Sequence, residues 1–118
     1  MPERIYKDKY ESKPWGYELL WAHTGRYAGK ILHINSGYSL SLQYHNVKEE
    51  SVRLLSGRMT MYWESDGEKN TVEMKPGDCL HIATGMMHQM IAIDDCDVLE
   101  VSTPELGDVV RVKDPYNR

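Results

Sequence analysis

Along Ser39-Leu40-Ser41-Leu42-Gln43-Tyr44-His45 the side chains alternate in polarity, so on a strand Ser41, Gln43 and His45 share one face and Leu40, Leu42 and Tyr44 the other. An imidazole and a side-chain amide on one face are groups that can bind a metal ion, move a proton or orient a ligand. A carboxylate, Glu50, and a second imidazole, His88, stand at spacings that tie them to this pair. From Gly37, five residues precede Gln43, one separates it from His45, four more precede Glu50 and six lead on to Gly57. From Gly77, five residues lead to Ala83, then come Thr84-Gly85, two further residues and His88. Alternation alone fits equally a strand whose polar face meets solvent, and each residue taken singly reads that way. The joint spacing sets them apart.

The elements that must position these groups read as strands. From about Gly29 onward the chain is a series of short alternating runs, 30–35, 39–45, 51–56, 59–64, 71–74, 79–83, 88–93 and 98–102, preceded by a first strand region at 17–21 after Pro14-Trp15-Gly16. Between them lie Asn35-Ser36-Gly37, Ser56-Gly57, Ser65-Asp66-Gly67, Lys75-Pro76-Gly77-Asp78, Thr84-Gly85 and Asp94-Asp95, all turn chemistry. No stretch after Gly29 sustains a helical period. Many short strands in so small a chain predict a sandwich or barrel, where closure or stacking removes exposed edges. Residues 1–13 read as a polar arm over the barrel, and 14–118 as the barrel itself, with a tail from Asp108 that packs back against its mouth.

A chain of 118 residues has room for one hydrophobic core, hence one domain and one principal site. No apolar run approaches the ~20 residues of a membrane-spanning helix. The charged start, Met1 to Lys7, has no secretory pattern, which makes the cytoplasm the expected location. Cys79 and Cys96 form neither a disulfide framework nor a Cys-x-x-Cys pair and read as ordinary thiols. A net charge of −4 without a basic cluster argues against a nucleic acid partner. It leaves small anions open, since a few placed cations hold a phosphate whatever the total charge.

The spacings resemble the two signature motifs of the cupin superfamily: Gly, five residues, His-x-His, three or four residues, Glu, six residues, Gly; then Gly, five residues, Pro-x-Gly, two residues, His. Gln43 stands in place of the commonest first His and Ala83 in place of the Pro. The resemblance implies an all-β, single-domain cupin, a double-stranded β-helix or jelly-roll barrel, with one divalent ion on Gln43, His45, Glu50 and His88. Two imidazole nitrogens, a carboxylate and an amide oxygen form a borderline-hard set that suits a first-row divalent ion and leaves positions open for substrate. Zinc is the ion that a narrower resemblance implies, with manganese, iron, cobalt and nickel also compatible.

Further residues narrow the resemblance. Lys13-Pro14-Trp15-Gly16, Lys30, the run 39–45 with Lys48 and Glu50, and the ending Arg111, Asp114, Tyr116 and Arg118 are similar to the type II mannose-6-phosphate isomerase family, whose pattern has Pro-Trp-Gly, Leu-Ser-Leu-Gln-x-His and Arg-x-x-Asp-x-Tyr-x-Arg. Gln89 and Ala92 depart from the Arg and Asn usual there. This resemblance implies aldose–ketose interconversion through an enediol, on a small-molecule sugar or sugar phosphate.

In that reading Arg111 stabilises developing negative charge, with a surface ion pair to Asp108 or Asp114 as its structural alternative. Lys30 shares parity with Leu32 and Ile34, and if inward needs a partner, either a substrate phosphate or Glu50. His81 shares a face with Cys79 and is expected near the metal as a supporting group or base, or else as a satisfied core histidine. Arg118 joins the substrate-binding set, and Lys48 and Arg53 are weaker phosphate candidates that otherwise read as solvent charges. A homodimer is expected, with Tyr62, Trp63 and Met86-Met87 as interface candidates against internal packing. The same ligands could also serve a sugar-binding or sensing module without catalysis, or an iron-dependent oxygenase.

Overall fold

The computed structural model describes residues 4–118. It contains eleven β-strands: β1 (Lys9–Lys13), β2 (Gly16–His23), β3 (Ala28–Ile34), β4 (Leu42–Tyr44), β5 (Glu50–Ser56), β6 (Met59–Ser65), β7 (Glu68–Met74), β8 (Cys79–Ile82), β9 (His88–Ala92), β10 (Cys96–Ser102) and β11 (Val110–Lys113). No helix among the described residues is long and apolar enough to cross a membrane. Two antiparallel sheets form, one in the order β1-β2-β3-β10-β5-β8 and the other β11-β4-β9-β6-β7.

Alternation decides which side chains enter the space between the sheets. On β5, Glu50, Val52 and Leu54 are buried, whereas Ser51, Arg53 and Leu55 turn outward. On β10 the inward set is Cys96, Val98, Glu100 and Ser102. The core joins Leu32, Ile34, Val52, Leu54, Ile82 and Val98 of the first sheet to Met59, Met61, Met74, Met90 and Ala92 of the second. The chain has no phenylalanine, and four methionines supply the adaptable bulk between the sheets.

Two strands lie outside the runs read from sequence. Within the segment expected as an arm, β1 pairs with β2 from Lys9 opposite Leu20 to Lys13 opposite Gly16, as an edge strand of the first sheet. The first three residues of that segment lie outside the described residues. At the other end β11 pairs with β4, setting Arg111 opposite Gln43. The Tyr116 hydroxyl then donates to the Ser39 carbonyl at 2.7 Å, pinning the tail across the same end of the barrel.

Candidate metal centre and its cavity

His45 follows the last residue of β4, Glu50 opens β5 and His88 opens β9. The first and third come from one sheet and Glu50 from the other, so the two sheets hold the three groups face to face. All three are buried, and one ligand atom of each lies within 4.8 Å of the others. Glu50 Oε1 is 3.5 Å from His45 Nε2 and 3.4 Å from His88 Nε2. Gln43 sits across from His88 in the β4–β9 register, and its Oε1 accepts a hydrogen bond from Ser41 Oγ at 2.7 Å.

Both imidazoles have their tautomer set by an acceptor-only partner. His45 Nδ1 donates to the Asp108 carbonyl at 2.5 Å, and His88 Nδ1 donates to the Met86 carbonyl at 2.8 Å. In the neutral rings each Nε2 therefore carries a lone pair, and the two lone pairs face a carboxylate oxygen. His45 Nε2, His88 Nε2 and Glu50 Oε2 have no hydrogen-bond partner although all are buried. Lys48 stands beside Glu50 Oε2, but two unpaired imidazole lone pairs facing Glu50 Oε1 away from water are costly unless a proton or cation stands among them. The residues present thus fit a divalent ion, and Gln43 adds an amide oxygen on the same face.

Electrostatics around Glu50 point the same way. Burial alone would raise its proton affinity, but the imidazoles of His45 and His88 and the Lys48 ammonium hold the carboxyl well below the ordinary range. Burial opposes charge on His45 as well, yet Glu50 outweighs it and the imidazole's proton affinity is raised. Lys48 is buried, with Nζ 3.1 Å from Glu50 Oε2, at an angle that makes no hydrogen bond, and 3.2 Å from Glu100 Oε2. Burial works against its charge too, but Glu100 and Glu50 raise its pKa. Burial, reinforced by the charge of Glu50, pushes Glu100 up to about 7.

Beside His45 and Gln43 opens a cavity of about 100 Å³, walled by Trp15, Leu32 and Leu40 on its apolar side. Its polar lining includes Lys13, Glu18, Lys30, Glu100, Arg111 and Arg118. Lys30 does face inward, but its partner is Glu18, at 3.1 Å, and not Glu50. Arg111 Nε is 4.0 Å from Asp114, and Arg118 Nε is 3.0 Å from the same carboxylate. Asp108 does not pair with Arg111.

The structure corrects two expectations. His81 lies on the outer face of β8, its side chain more than half exposed, and Nε2 is 2.6 Å from Glu49 Oε2. Leu80 and Ile82 take the inward positions that would have brought it to the metal. Lys48 is no solvent charge but the buried counter-ion of two carboxylates. Trp63 and Met86 pack on the core. Arg53, as its outward parity requires, is exposed, with Nη1 at 3.5 Å from the Gly77 carbonyl.

Glu18, Glu100 and Asp108 are the site residues that the sequence reading missed. Glu100 carried a signal, since it shares parity with Cys96 and Val98 on β10 and pairs across to Lys30. Asp108 lies in irregular chain, where parity says nothing.

No family model matches the sequence, and no curated protein does. Among solved structures, KdgF from Halomonas sp. superposes with a TM-score of 0.72 at 20% identity, over 81% of this chain and 86% of that one. Oxalate decarboxylase from Bacillus subtilis at pH 4.6 superposes with a TM-score of 0.80 at 14% identity, over 89% of this chain and 30% of that one. A further structure of that decarboxylase, from a study of its Mn(II) centres, gives a TM-score of 0.77 at 12% identity with the same coverage. This chain therefore spans about 30% of the length of the decarboxylase. Likeness at such identities speaks for architecture alone, and the architecture is the all-β, single-domain double-stranded β-helix barrel that the resemblance implied.

Proposed function

We propose that this protein is a metal-dependent aldose–ketose isomerase acting on a small sugar or sugar phosphate, such as mannose 6-phosphate to fructose 6-phosphate. His45, Glu50, His88 and Gln43 hold the ion, with zinc as the expected metal. The observation that carries this reading is the meeting of buried ligand atoms of His45, Glu50 and His88, both imidazole Nε2 atoms unpaired, beside a cavity lined with cations. The likeness to the isomerase family in Pro14-Trp15-Gly16, 39–45 and the Arg111 to Arg118 ending supplies the reaction class.

A divalent ion held there supplies a Lewis acid for a sugar's carbonyl and neighbouring hydroxyl oxygens. The protein's own groups do the rest. Arg111 and Arg118 present delocalised cations to a phosphate or to charge developing on an enediolate, and Asp114 steadies both. Lys30 and Glu18 form a buried pair in the cavity wall, and Glu18 and Glu100 are the carboxylates available to move a proton between adjacent carbons. Trp15, Leu32 and Leu40 give the apolar wall against which a sugar's C–H face can rest and from which water is excluded.

The test has two arms. Metal analysis of protein purified without added ions should find about one ion per chain in the wild type and none in His45→Ala. A panel of aldoses and ketoses, free and phosphorylated, should show interconversion by the metal-replete protein and loss of it in Glu50→Gln. Thermal stabilisation by a sugar without turnover of any in the panel would replace the isomerase with a binding module, and oxygen uptake with bound iron would replace it with an oxygenase.

A further inference from the structure

Between His45 and Glu50 the chain runs irregularly through Asn46, Val47, Lys48 and Glu49, outside any strand. Such a segment must find its backbone hydrogen bonds elsewhere. Asp108 supplies most of them. Its carboxylate accepts from the N–H of Asn46 at 3.1 Å, of Val47 at 2.7 Å and of Lys48 at 2.8 Å, while its carbonyl accepts from His45 Nδ1. The fourth N–H, of Glu49, donates to Thr103 Oγ1 at 3.0 Å. Every backbone N–H between the two acceptor-bearing residues is thus held by a side chain of the segment 103–108.

That segment does more than tie a loop. Leu106 and Asp108 line the cavity, as do Val109 and Arg111 just beyond, so the chain that fixes His45 also forms part of the cavity's wall. From the other side Thr84 Oγ1 donates to the Val47 carbonyl at 3.0 Å, and the Gly85 N–H donates to the His45 carbonyl at 2.8 Å. Asp108 is separated from His45 by 63 positions, and among the described residues no other accepts hydrogen bonds from both the His45 ring and three consecutive loop amides.

We propose that Asp108 is the positioning residue of the metal centre, holding His45 with Nε2 toward Glu50 and fixing the His45–Glu50 loop to the wall of the cavity. The proposal rests on the metal reading above for its consequence and on the hydrogen bonds for its geometry. Asp108 acts through His45 and the loop that carries Lys48. Outer partners of this kind change metal affinity by about 10–100-fold when removed. For the loop amides Asn at this position keeps one carboxamide oxygen as acceptor and Ala keeps none, while the backbone carbonyl that accepts from His45 Nδ1 stays in both.

The experiment compares wild type, Asp108→Ala and Asp108→Asn. Without metal, amide hydrogen exchange at Asn46, Val47 and Lys48 should speed at least tenfold in Asp108→Ala, and, as the segment that carries the Asp108 carbonyl comes loose from the loop, the ¹⁵N shifts of the His45 ring should show a smaller share of the Nδ1–H tautomer. With zinc, competition against a chelating dye should show affinity about 10–100-fold weaker in Asp108→Ala, with Asp108→Asn in between. Loop amides that exchange in Asp108→Ala as slowly as in the wild type overturn the proposal. So does faster exchange with zinc affinity and His45 tautomer unchanged. Should the wild type take up no divalent ion, the metal reading falls, and the exchange and tautomer measurements, which need no ion, decide the positioning role alone.

Discussion

Lys48 Nζ lies 3.1 Å from Glu50 Oε2, and both side chains are withdrawn from water. The same ammonium reaches Glu100 at 3.2 Å, so one cation stands between two buried carboxylates. Removing one partner of a buried ion pair leaves an uncompensated charge and costs about 3–5 kcal/mol. Lys48→Met should therefore lose stability of that order in urea unfolding with chelator present. With zinc saturating, the loss should be smaller, because the ion then supplies positive charge beside Glu50. Equal losses with and without zinc would mean that no ion sits against Glu50.

Glu100 gives a pH signature of the opposite sign from that of an ordinary paired carboxylate. Its folded-state pKa is pushed up to about 7 from an ordinary 4.5, first by burial and then by the charge of Glu50. Between those values the folded chain keeps a proton that the unfolded chain has released, so stability falls as pH rises through the window. The full span amounts to ~3 kcal/mol against the folded state above pH 7. Glu100→Gln cannot ionise, and the stability difference, variant minus wild type, should grow by about that amount between pH 4.5 and pH 7.5 in metal-free protein. Chemical denaturation at a series of pH values measures it, and a flat difference would exclude a proton on folded Glu100.

Much of the barrel was legible because a buried face imposes period two. The runs through Val52 and Leu54, or Val98, show it directly, and the sheets follow. β1 and β11 escaped for the complementary reason. Lys-Tyr-Glu-Ser-Lys and Val-Arg-Val-Lys are edge strands with little buried face, so nothing in their alternation separates a strand from a solvated arm. That His45, Glu50 and His88 come together was legible from spacing, since turns and strands of fixed length return the chain to one point. Its supporting groups were less so. Glu18, Glu100 and Asp108 meet Lys30, Lys48 and His45 across 12, 52 and 63 positions. Such pairings follow from sheet order, which local pattern does not contain. His81 was placed on the wrong face because parity offers two answers, and the apolar neighbours Leu80 and Ile82 should have chosen between them.

The role of Gln43 can be separated from that of its neighbours through Ser41. Ser41 is fully buried and its hydroxyl donates to Gln43 Oε1, which keeps a second lone pair for an ion. If Gln43 ligates, Ser41→Ala should weaken zinc by about 10-fold, the low end for an outer partner, and Gln43→Ala should weaken it further, while His45→Ala abolishes stoichiometric binding. Chelator competition reads all three. Wild-type affinity in both Ser41→Ala and Gln43→Ala would leave the ion on His45, Glu50 and His88 alone.

Two glycines of the spacing pattern share a conformation but not a reason for being glycine. Gly37 has φ +81° and Gly57 has φ +84°, both in the left-handed region that costs another residue about 1–2 kcal/mol. A Cβ at Gly37 would meet nothing within 4 Å, whereas at Gly57 it would lie 2.2 Å from the Asp95 carbonyl oxygen and 3.0 Å from Cys96 Sγ. Gly57 starts the turn from β5 to β6 and lies against Asp95 and Cys96, where β10 begins, so the chain there must move apart to admit a methyl group. Gly37→Ala should therefore cost only about 1–2 kcal/mol, and Gly57→Ala at least about 3 kcal/mol, as overpacking adds to the backbone term. Neither residue touches His45, Glu50 or His88, so zinc affinity of the folded fraction should hold in both. Urea unfolding of the pair is the measurement, and equal costs would show that close approach to Asp95 is not what demands glycine at position 57.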